Sequence, residues 1–236
     1  MSMTPNKQPR LELLIDVFSL KKQRALVLPT LTPAELITQV IKEFGGTNNI
    51  GRGVTDTSPD KYLKMEYICD SSDEYLLIKA STKQPLNPTV PLGKQLAPLD
   101  LLILVELIKP LPADTVRPSR PIYLVEQRSN KVYKIHWLPA IIGRSSLNLP
   151  FNDRLAVNLS WHPDGQRVSR RHAQLTEING QFFVMSLSPN PVLIKRSQDL
   201  QVRVEGERGP QPLNRGDELI FNNNQIALKF IVRDEK

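Results

Sequence analysis

The sequence predicts two domains, an α+β domain followed by an all-β sandwich, and three observations predict it. Four prolines crowd into residues 109–121, which excludes helix and most strand and favours an extended linker. Ahead of that stretch, one helix-coding segment lies among short strand-like runs. Behind it come about ten short strand-like runs and no amphipathic helix. A chain of 236 residues is long enough for two cores of roughly 100 residues each.

Residues 1–10 are polar and are expected to be a flexible N-terminus without a signal-peptide core. Residues 11–18 form a β-rich run, residues 19–23 read as a polar turn, and residues 24–28 form a second short strand, so the pair predicts a hairpin. Thr32-Pro33-Ala34-Glu35 then codes a helix start: Thr at the N-cap, Pro at the first helical position, an acid in the first turn. Leu36, Val40, Ile41 and Phe44 supply the apolar stripe, and Gly45-Gly46 the stop. Residues 47–60 read as a mobile loop, and residues 62–68 and 75–80 as further strands. Residues 101–107 are almost continuously apolar and are expected to be a strand buried on both faces.

Hairpin, helix and then strands is the order of a ubiquitin-like β-grasp domain, and residues 11–108 resemble one. Leu76-Leu77-Ile78 followed by Leu86-Asn87-Pro88 resembles that family's strand and short turn. The run from Leu92 to Leu104 resembles its short helix, loop and closing strand. The resemblance is nearest to the small ubiquitin-like proteins associated with bacterial secretion systems. Covalent tagging is not expected, because the closing strand runs into Lys109-Pro110 and not into a free Gly-Gly. The resemblance implies docking of a second protein through the sheet face.

In the second block the strand-like runs are residues 121–127, 131–137, 140–142, 156–160, 172–177, 181–187, 192–194, 201–205, 218–221 and 226–232. Ser129-Asn130, Asn179-Gly180 and Arg215-Gly216-Asp217 carry turn chemistry between them. Four fragments follow one another through these strands: Gly143-Arg144, Ser169-Arg170-Arg171-His172, Ser186-Leu187-Ser188-Pro189-Asn190, and Leu213-Asn214-Arg215-Gly216-Asp217. The ordered set Gly-Arg, Ser-x-x-His, Asn, Leu-x-x-Gly-Asp in an all-β segment closely resembles the forkhead-associated (FHA) family. The resemblance spans about residues 122–232, and the domain is taken as 122–236.

That resemblance implies a non-catalytic domain that recognises phosphothreonine peptides. It gives Arg144 the grip on the phosphate, Ser169 a hydroxyl bond to a phosphate oxygen, and Asn190 a bond to the peptide backbone. Gly143 allows the tight approach ahead of Arg144, and His172 braces the binding loops. Arg170 and Arg171 either flank the phosphate or face solvent. Ser145, Trp161 and His162 sit in loops beside the same face, as contacts for the residues after the phosphothreonine or as a partly exposed aromatic turn. The chemistry agrees with these roles. A phosphothreonine carries about −1.5 to −2 charges at neutral pH and three strong acceptors. A guanidinium answers it with a planar fork of donors that never deprotonates.

One departure stands out. The family usually follows its asparagine with Gly-Thr or Gly-Ser, whereas Pro189 and Pro191 flank Asn190 here and remove two backbone donors. The alternative reading is therefore a phosphate-independent scaffold or assembly protein, of a kind a secretion system would use.

Composition narrows the other classes. The net charge is +7, and its distribution is uneven. Up to Ile108 there are twelve basic and twelve acidic residues, which leaves nineteen basic and twelve acidic in the remainder. A basic second domain suits an anionic ligand. Nucleic acid is disfavoured, because no aromatic-interleaved basic strand and no basic helix is present. A single cysteine, Cys69, excludes an internal disulfide and a Cys-based metal cluster. No P-loop, GxSxG elbow or kinase signature is found, so no enzyme, cofactor or metal is expected. No apolar run is long enough to span a membrane, and cytoplasmic residence is the default. The expected partners are phosphothreonine-containing proteins, with a Ser/Thr kinase or its substrate among them, and a second protein for the N-terminal domain.

Overall fold

The computed structural model describes residues 9–44, 69, 71–146, 154–196, 200–206, 209–221 and 225–233. The chain is mostly β, with one α-helix among the described residues, and these described residues divide into two compact units, one ending at Lys109 and the other beginning at Pro110. The expected loop at 47–60, the expected strand at 62–68 and the Gly45-Gly46 stop lie outside the described residues.

In the first unit the chain forms β1 (Leu11–Val17), β2 (Leu20–Val27), α1 (Pro33–Phe44), β3 (Tyr75–Lys79), β4 (Gln84–Pro85) and β5 (Leu101–Glu106). The sheet order is β2-β1-β5-β3-β4, with β1 parallel to β5 and the other pairs antiparallel. The helix start is a reciprocal capping box. The Glu35 N–H donates to Thr32 Oγ1 at 3.3 Å, and the Thr32 N–H donates to Glu35 Oε2 at 2.7 Å. The buried stripe of α1 is Leu36, Ile37, Val40 and Ile41, with Phe44 only half-buried.

Two expectations are corrected here. The hairpin turn is Phe18-Ser19, and residues 20–23, read as turn from their polarity, belong to β2. Lys21, Lys22 and Gln23 are polar because β2 is an edge strand, and edge strands carry lysines that discourage further pairing. A bulge sits there: the Lys22 N–H bonds Asp16 Oδ1 at 2.8 Å, with Lys22 at φ 52°. The closing strand β5 is not buried on both faces. Leu102 and Leu104 are buried, while Leu101, Ile103 and Val105 are half-exposed.

The second unit holds β6 (Ile122–Glu126), β7 (Val132–Ile135), β8 (Ala140–Gly143), β9 (Leu155–Asn158), β10 (Ala173–Ile178), β11 (Gln181–Ser186), β12 (Val192–Lys195), β13 (Gln201–Val204), β14 (Gln211–Leu213), β15 (Glu218–Phe221) and β16 (Ile226–Val232). They make two sheets, β14-β11-β10-β8-β9 and β13-β12-β15-β16-β6-β7. Alternate side chains of both sheets, among them Leu124, Ile142, Leu175, Val184, Ile194, Leu219 and Phe230, meet in one core, which makes the unit a β-sandwich.

The proline-rich segment does more than space the units. Val116 and Leu138 exchange two backbone hydrogen bonds of 2.8 Å, and the Ser119 N–H donates to Glu177 Oε2 at 2.9 Å. The Arg120 guanidinium lies 5.5 Å from the centre of the Phe182 ring. Prolines exclude this stretch from a regular ladder, but the residues between them still have donors and side chains to bond the sandwich.

Candidate functional site

Strand register brings three separated sequence fragments to one end of a sheet. Ala173 pairs with Ile142 on one side and with Ser186 on the other. The end of β8, the start of β10 and the end of β11 therefore lie in a row. The segments that leave them, at Gly143-Arg144, at residues 169–172 and at residues 187–191, must emerge together.

Gly143 is the point of closest approach. A Cβ there would lie 2.1 Å from the Arg170 carbonyl oxygen and 2.9 Å from that of Ser169. Its φ lies outside the left-handed region, so the requirement is for an absent side chain and not for an unusual backbone conformation. The contact lets the Arg144 N–H donate to the Ser169 carbonyl at 3.2 Å, which sets the two candidate phosphate ligands side by side.

Arg144 is half-buried, and its Nε donates to the Val168 carbonyl at 2.9 Å. That bond fixes the guanidinium and leaves its two Nη groups without a partner among the described residues. Arg170 is exposed, and its side chain likewise has no hydrogen bond or ion pair among the described residues. Arg144 is joined to Ser169 by a backbone bond and Arg170 follows Ser169 in the chain, so two cationic residues adjoin the Ser169 segment.

The Ser169 hydroxyl belongs to a short relay. The Asn190 N–H donates to Ser188 Oγ at 3.1 Å, and Ser188 Oγ lies 2.7 Å from Ser169 Oγ. With an amide donating into it, Ser188 can pass its own hydrogen to Ser169, and the Ser169 hydrogen is then left for a ligand. Below them the buried Ser186 hydroxyl lies 3.0 Å from the Ser188 carbonyl and 3.2 Å from that of Asn190. Ser186 and Ser188 were given no role from the sequence. The only available signal was two serines, two and four positions ahead of Asn190.

His172 is 1% exposed and packs edge-on against Phe221, with ring centres 5.0 Å apart. Its Nδ1 accepts the Ser169 N–H at 3.2 Å, so the ring holds the serine's backbone. Burial holds its pKa below the ordinary histidine value, while the neighbouring backbone of Pro191 and Asn190 pulls the other way. Nε2 is buried without an acceptor at hydrogen-bonding distance. A proton on Nδ1 would remove the bond to Ser169. Because the unfolded chain takes up that proton more readily, the contribution of His172 is complete above about pH 6.5 and is lost as pH falls below it. A proton titration followed by nuclear magnetic resonance should place the His172 midpoint below about 6.5. A midpoint at or above that value would contradict this account.

Ser145 also belongs to the cluster. Its N–H bonds Ser160 Oγ at 2.9 Å and Asn158 Oδ1 at 3.1 Å, which ties the stretch after Arg144 to the stretch after β9. Trp161 is 41% exposed, donates its Nε1–H to the Tyr133 hydroxyl, and carries the Lys131 ammonium 4.5 Å above its ring. It remains available at the surface. His162 does not: it is 4% exposed, and its Nδ1 accepts the Asp164 N–H at 3.1 Å. Its place is inside the turn that presents Trp161. Asn190 is exposed, with its loop held from beneath by the serine hydroxyls.

Among the described residues no group of His, Cys, Asp or Glu is arranged to hold a metal, and no helix is long and apolar enough to cross a membrane.

Comparison with known proteins places a family on part of the chain. The FHA domain family model matches residues 140–222, which carry an FHA domain. No curated protein matches the chain significantly. Among solved structures, Mycobacterium tuberculosis EmbR in complex with a low-affinity phosphopeptide is similar at 20% identity and a TM-score of 0.37, over 50% of this chain and 26% of that one. The FHA domain of human APLF in complex with an XRCC1 bisphospho peptide is similar at 21% identity and a TM-score of 0.34, over 47% of this chain and 97% of that one. The FHA domain of an Arabidopsis thaliana hypothetical protein is similar at 13% identity and a TM-score of 0.37, over 51% and 92%. The chain thus spans about a quarter of EmbR and nearly all of the two isolated domains.

Proposed function

We propose that this FHA domain reads phosphothreonine in a partner protein, and that the chain is a non-catalytic adaptor. The observation that carries the reading is the pairing of Arg144 with Ser169. One backbone bond of 3.2 Å joins them, one fork has its Nη groups unused among the described residues, and the Ser169 hydroxyl shares a 2.7 Å hydrogen bond with Ser188 in which either oxygen can donate. Arg170 adds a second cation beside them. Bound phosphate would take charge-assisted bonds from both arginines and a neutral bond from Ser169. Asn190, exposed on its braced loop, would bond the peptide backbone. Trp161 and Ser145 would touch residues beyond the phosphothreonine. The phosphorylated partner would be a kinase of Ser/Thr type or one of its substrates.

The first unit would supply the second contact. Its hairpin, following helix and parallel β1–β5 pair support a ubiquitin-like β-grasp domain. Leu14, Leu76, Ile78, Leu101 and Ile103 are half-exposed, and Leu26 is exposed, so an apolar sheet face remains for docking. In this reading the domains are residues 11–108 and 122–236, and residence is cytoplasmic.

A phosphate-independent scaffold is the second reading. It is favoured by the loop at Pro189 and Pro191, whose polar groups are satisfied by Ser186 and Ser188 without any ligand. One experiment separates the two. An oriented phosphothreonine peptide library and its unphosphorylated twin are presented to the full chain and to Ser169→Ala. The phosphorylated library should bind at least about tenfold more tightly, and Ser169→Ala should lose about two- to tenfold of that, the worth of one neutral hydrogen bond. Equal binding of both libraries would select the scaffold.

A further inference from the structure

We propose that Ser119 is a phosphorylation site, and that a phosphoryl group on its Oγ releases residues 116–120 from the sandwich. Docked, this strap lies along strand ends away from the candidate site. Val116 exchanges two backbone bonds with Leu138, ahead of β8, and Arg117 Nη1 donates to the His136 carbonyl at 3.0 Å. Ser119 turns both of its donors onto one acid. Its N–H donates to Glu177 Oε2 at 2.9 Å and its hydroxyl to Glu177 Oε1, so one residue engages both carboxylate oxygens. Arg120 completes the contact, with Nη2 donating to the Gly180 carbonyl at 3.1 Å and the guanidinium 5.5 Å from the centre of the Phe182 ring. Glu177 stands near the end of β10, whereas the site segments gather at its start, beside Ala173.

The sequence around Ser119 has the shape and charge that an arginine-directed Ser/Thr kinase takes. It reads Arg117-Pro118-Ser119-Arg120-Pro121, with a cation two residues before the serine and another directly after it. Each proline holds the residue ahead of it in extended backbone, which keeps Arg117 and Arg120 out of helix. Ser119 itself is exposed. An extended segment with cations on both sides complements an acidic substrate cleft. In the reaction the kinase's carboxylate base takes the hydroxyl proton and Ser119 Oγ bonds the γ-phosphorus of a nucleoside triphosphate. The bond from that phosphorus to the β–γ bridging oxygen breaks, and the nucleoside diphosphate leaves.

Docking and phosphorylation exclude each other. The docked hydroxyl hydrogen is committed to Glu177, so the kinase acts on the released strap. Once modified, Oγ has no hydrogen to donate, and about −1.5 to −2 charges face the Glu177 carboxylate. The Val116–Leu138 pair is an isolated bridge outside any strand, so no ladder holds it after Ser119 has left. Arg117 and Arg120 flank the phosphate in the chain and pair with it once the strap is released. Release frees the five residues 116–120. Extended, they add roughly 17 Å of chain. That length enters between Lys109, which bonds Asp73 and Glu74, and the start of β6. The modification therefore lengthens the tether and leaves the phosphate grip alone.

The test uses the full chain as wild type, Ser119→Ala and Glu177→Ala, and as wild type and Glu177→Ala carrying phosphoserine at 119 introduced during translation. Amide hydrogen exchange is read at Val116 and Leu138, whose N–H groups make the bridge. Phosphoserine should speed exchange at both by at least about tenfold, and Ser119→Ala, which keeps the backbone bond to Glu177, by less. In Glu177→Ala the phosphorylated and plain chains should exchange alike. Wild type and Glu177→Ala are also incubated with magnesium ATP and a soluble extract of the cells that make the protein, and phosphate is located by mass spectrometry. It should appear on Ser119, about three- to tenfold faster in Glu177→Ala, where nothing holds the hydroxyl. Unchanged protection in the phosphoserine form, or no phosphate on Ser119 in either chain, would overturn the proposal.

Discussion

Alanine in place of Arg144 is expected to weaken phosphothreonine-peptide binding by at least about tenfold, because hydrogen bonds to charged groups contribute roughly 1.5–3 kcal/mol each. The Nε bond to the Val168 carbonyl aims the fork before any ligand arrives, so little ordering cost remains at binding. Loss of that bond should cost the free domain about 1–3 kcal/mol, because Val168 is 1% exposed and its carbonyl loses the guanidinium donor. Lysine at 144 should restore only part of the affinity. It keeps the charge but cannot bond Val168 and present two further donors in one plane. Isothermal titration of wild type, Arg144→Ala and Arg144→Lys, with thermal unfolding of each, separates binding from stability. Wild-type affinity in Arg144→Ala would remove this side chain from the site.

Much of the sandwich, and the strand ends that carry the candidate site, were legible because they follow from local patterns. Alternation in residues 226–232 and the turn chemistry of Asn179-Gly180 fix strands and register, and register alone aligns Ile142, Ala173 and Ser186. What was not legible depended on neighbours distant in sequence. The strand at Gln211–Leu213 was missed because Pro212 argues against a strand, yet it is an edge strand, where proline is tolerated. The fate of His162 was missed because a polar aromatic turn gives no sign of which ring points inward. Glu126 is a third case. It is fully buried, and its carboxylate accepts the Arg128 N–H and both the N–H and hydroxyl of Ser129. Burial alone would raise its pKa, but those donors outweigh it and hold the carboxyl below its ordinary value. Nothing in Glu126-Gln127-Arg128-Ser129 distinguishes that buried acid from an exposed one. In the same way the serine relay was hidden, since Ser188 acts through Ser169, nineteen residues earlier.

The second large effect is expected at Gly143, where one added carbon meets backbone on the opposite side. A Cβ 2.1 Å from the Arg170 carbonyl oxygen and 2.7 Å from its carbon has no flexible side chain to push aside. The end of β8 and the segment at Ser169 and Arg170 must separate. That separation breaks the 3.2 Å bond from the Arg144 N–H to the Ser169 carbonyl, and it strains the bond from the His172 N–H to the Ile142 carbonyl at 3.0 Å. Overpacking of this kind costs about 1–3 kcal/mol, and Gly143→Ala should lose stability on that scale. Binding should suffer more than stability, because Arg144 and Ser169 are spread apart together and a fork misplaced by about an ångström no longer meets the phosphate. Gly143→Ala should therefore bind phosphopeptide more weakly than Ser169→Ala, although it removes no ligand-contacting group. Chemical denaturation measures the first effect and anisotropy the second. A variant that unfolds later than Ser169→Ala and binds better than it would show that the two backbones can part without harm, and that the glycine is not what sets the grip.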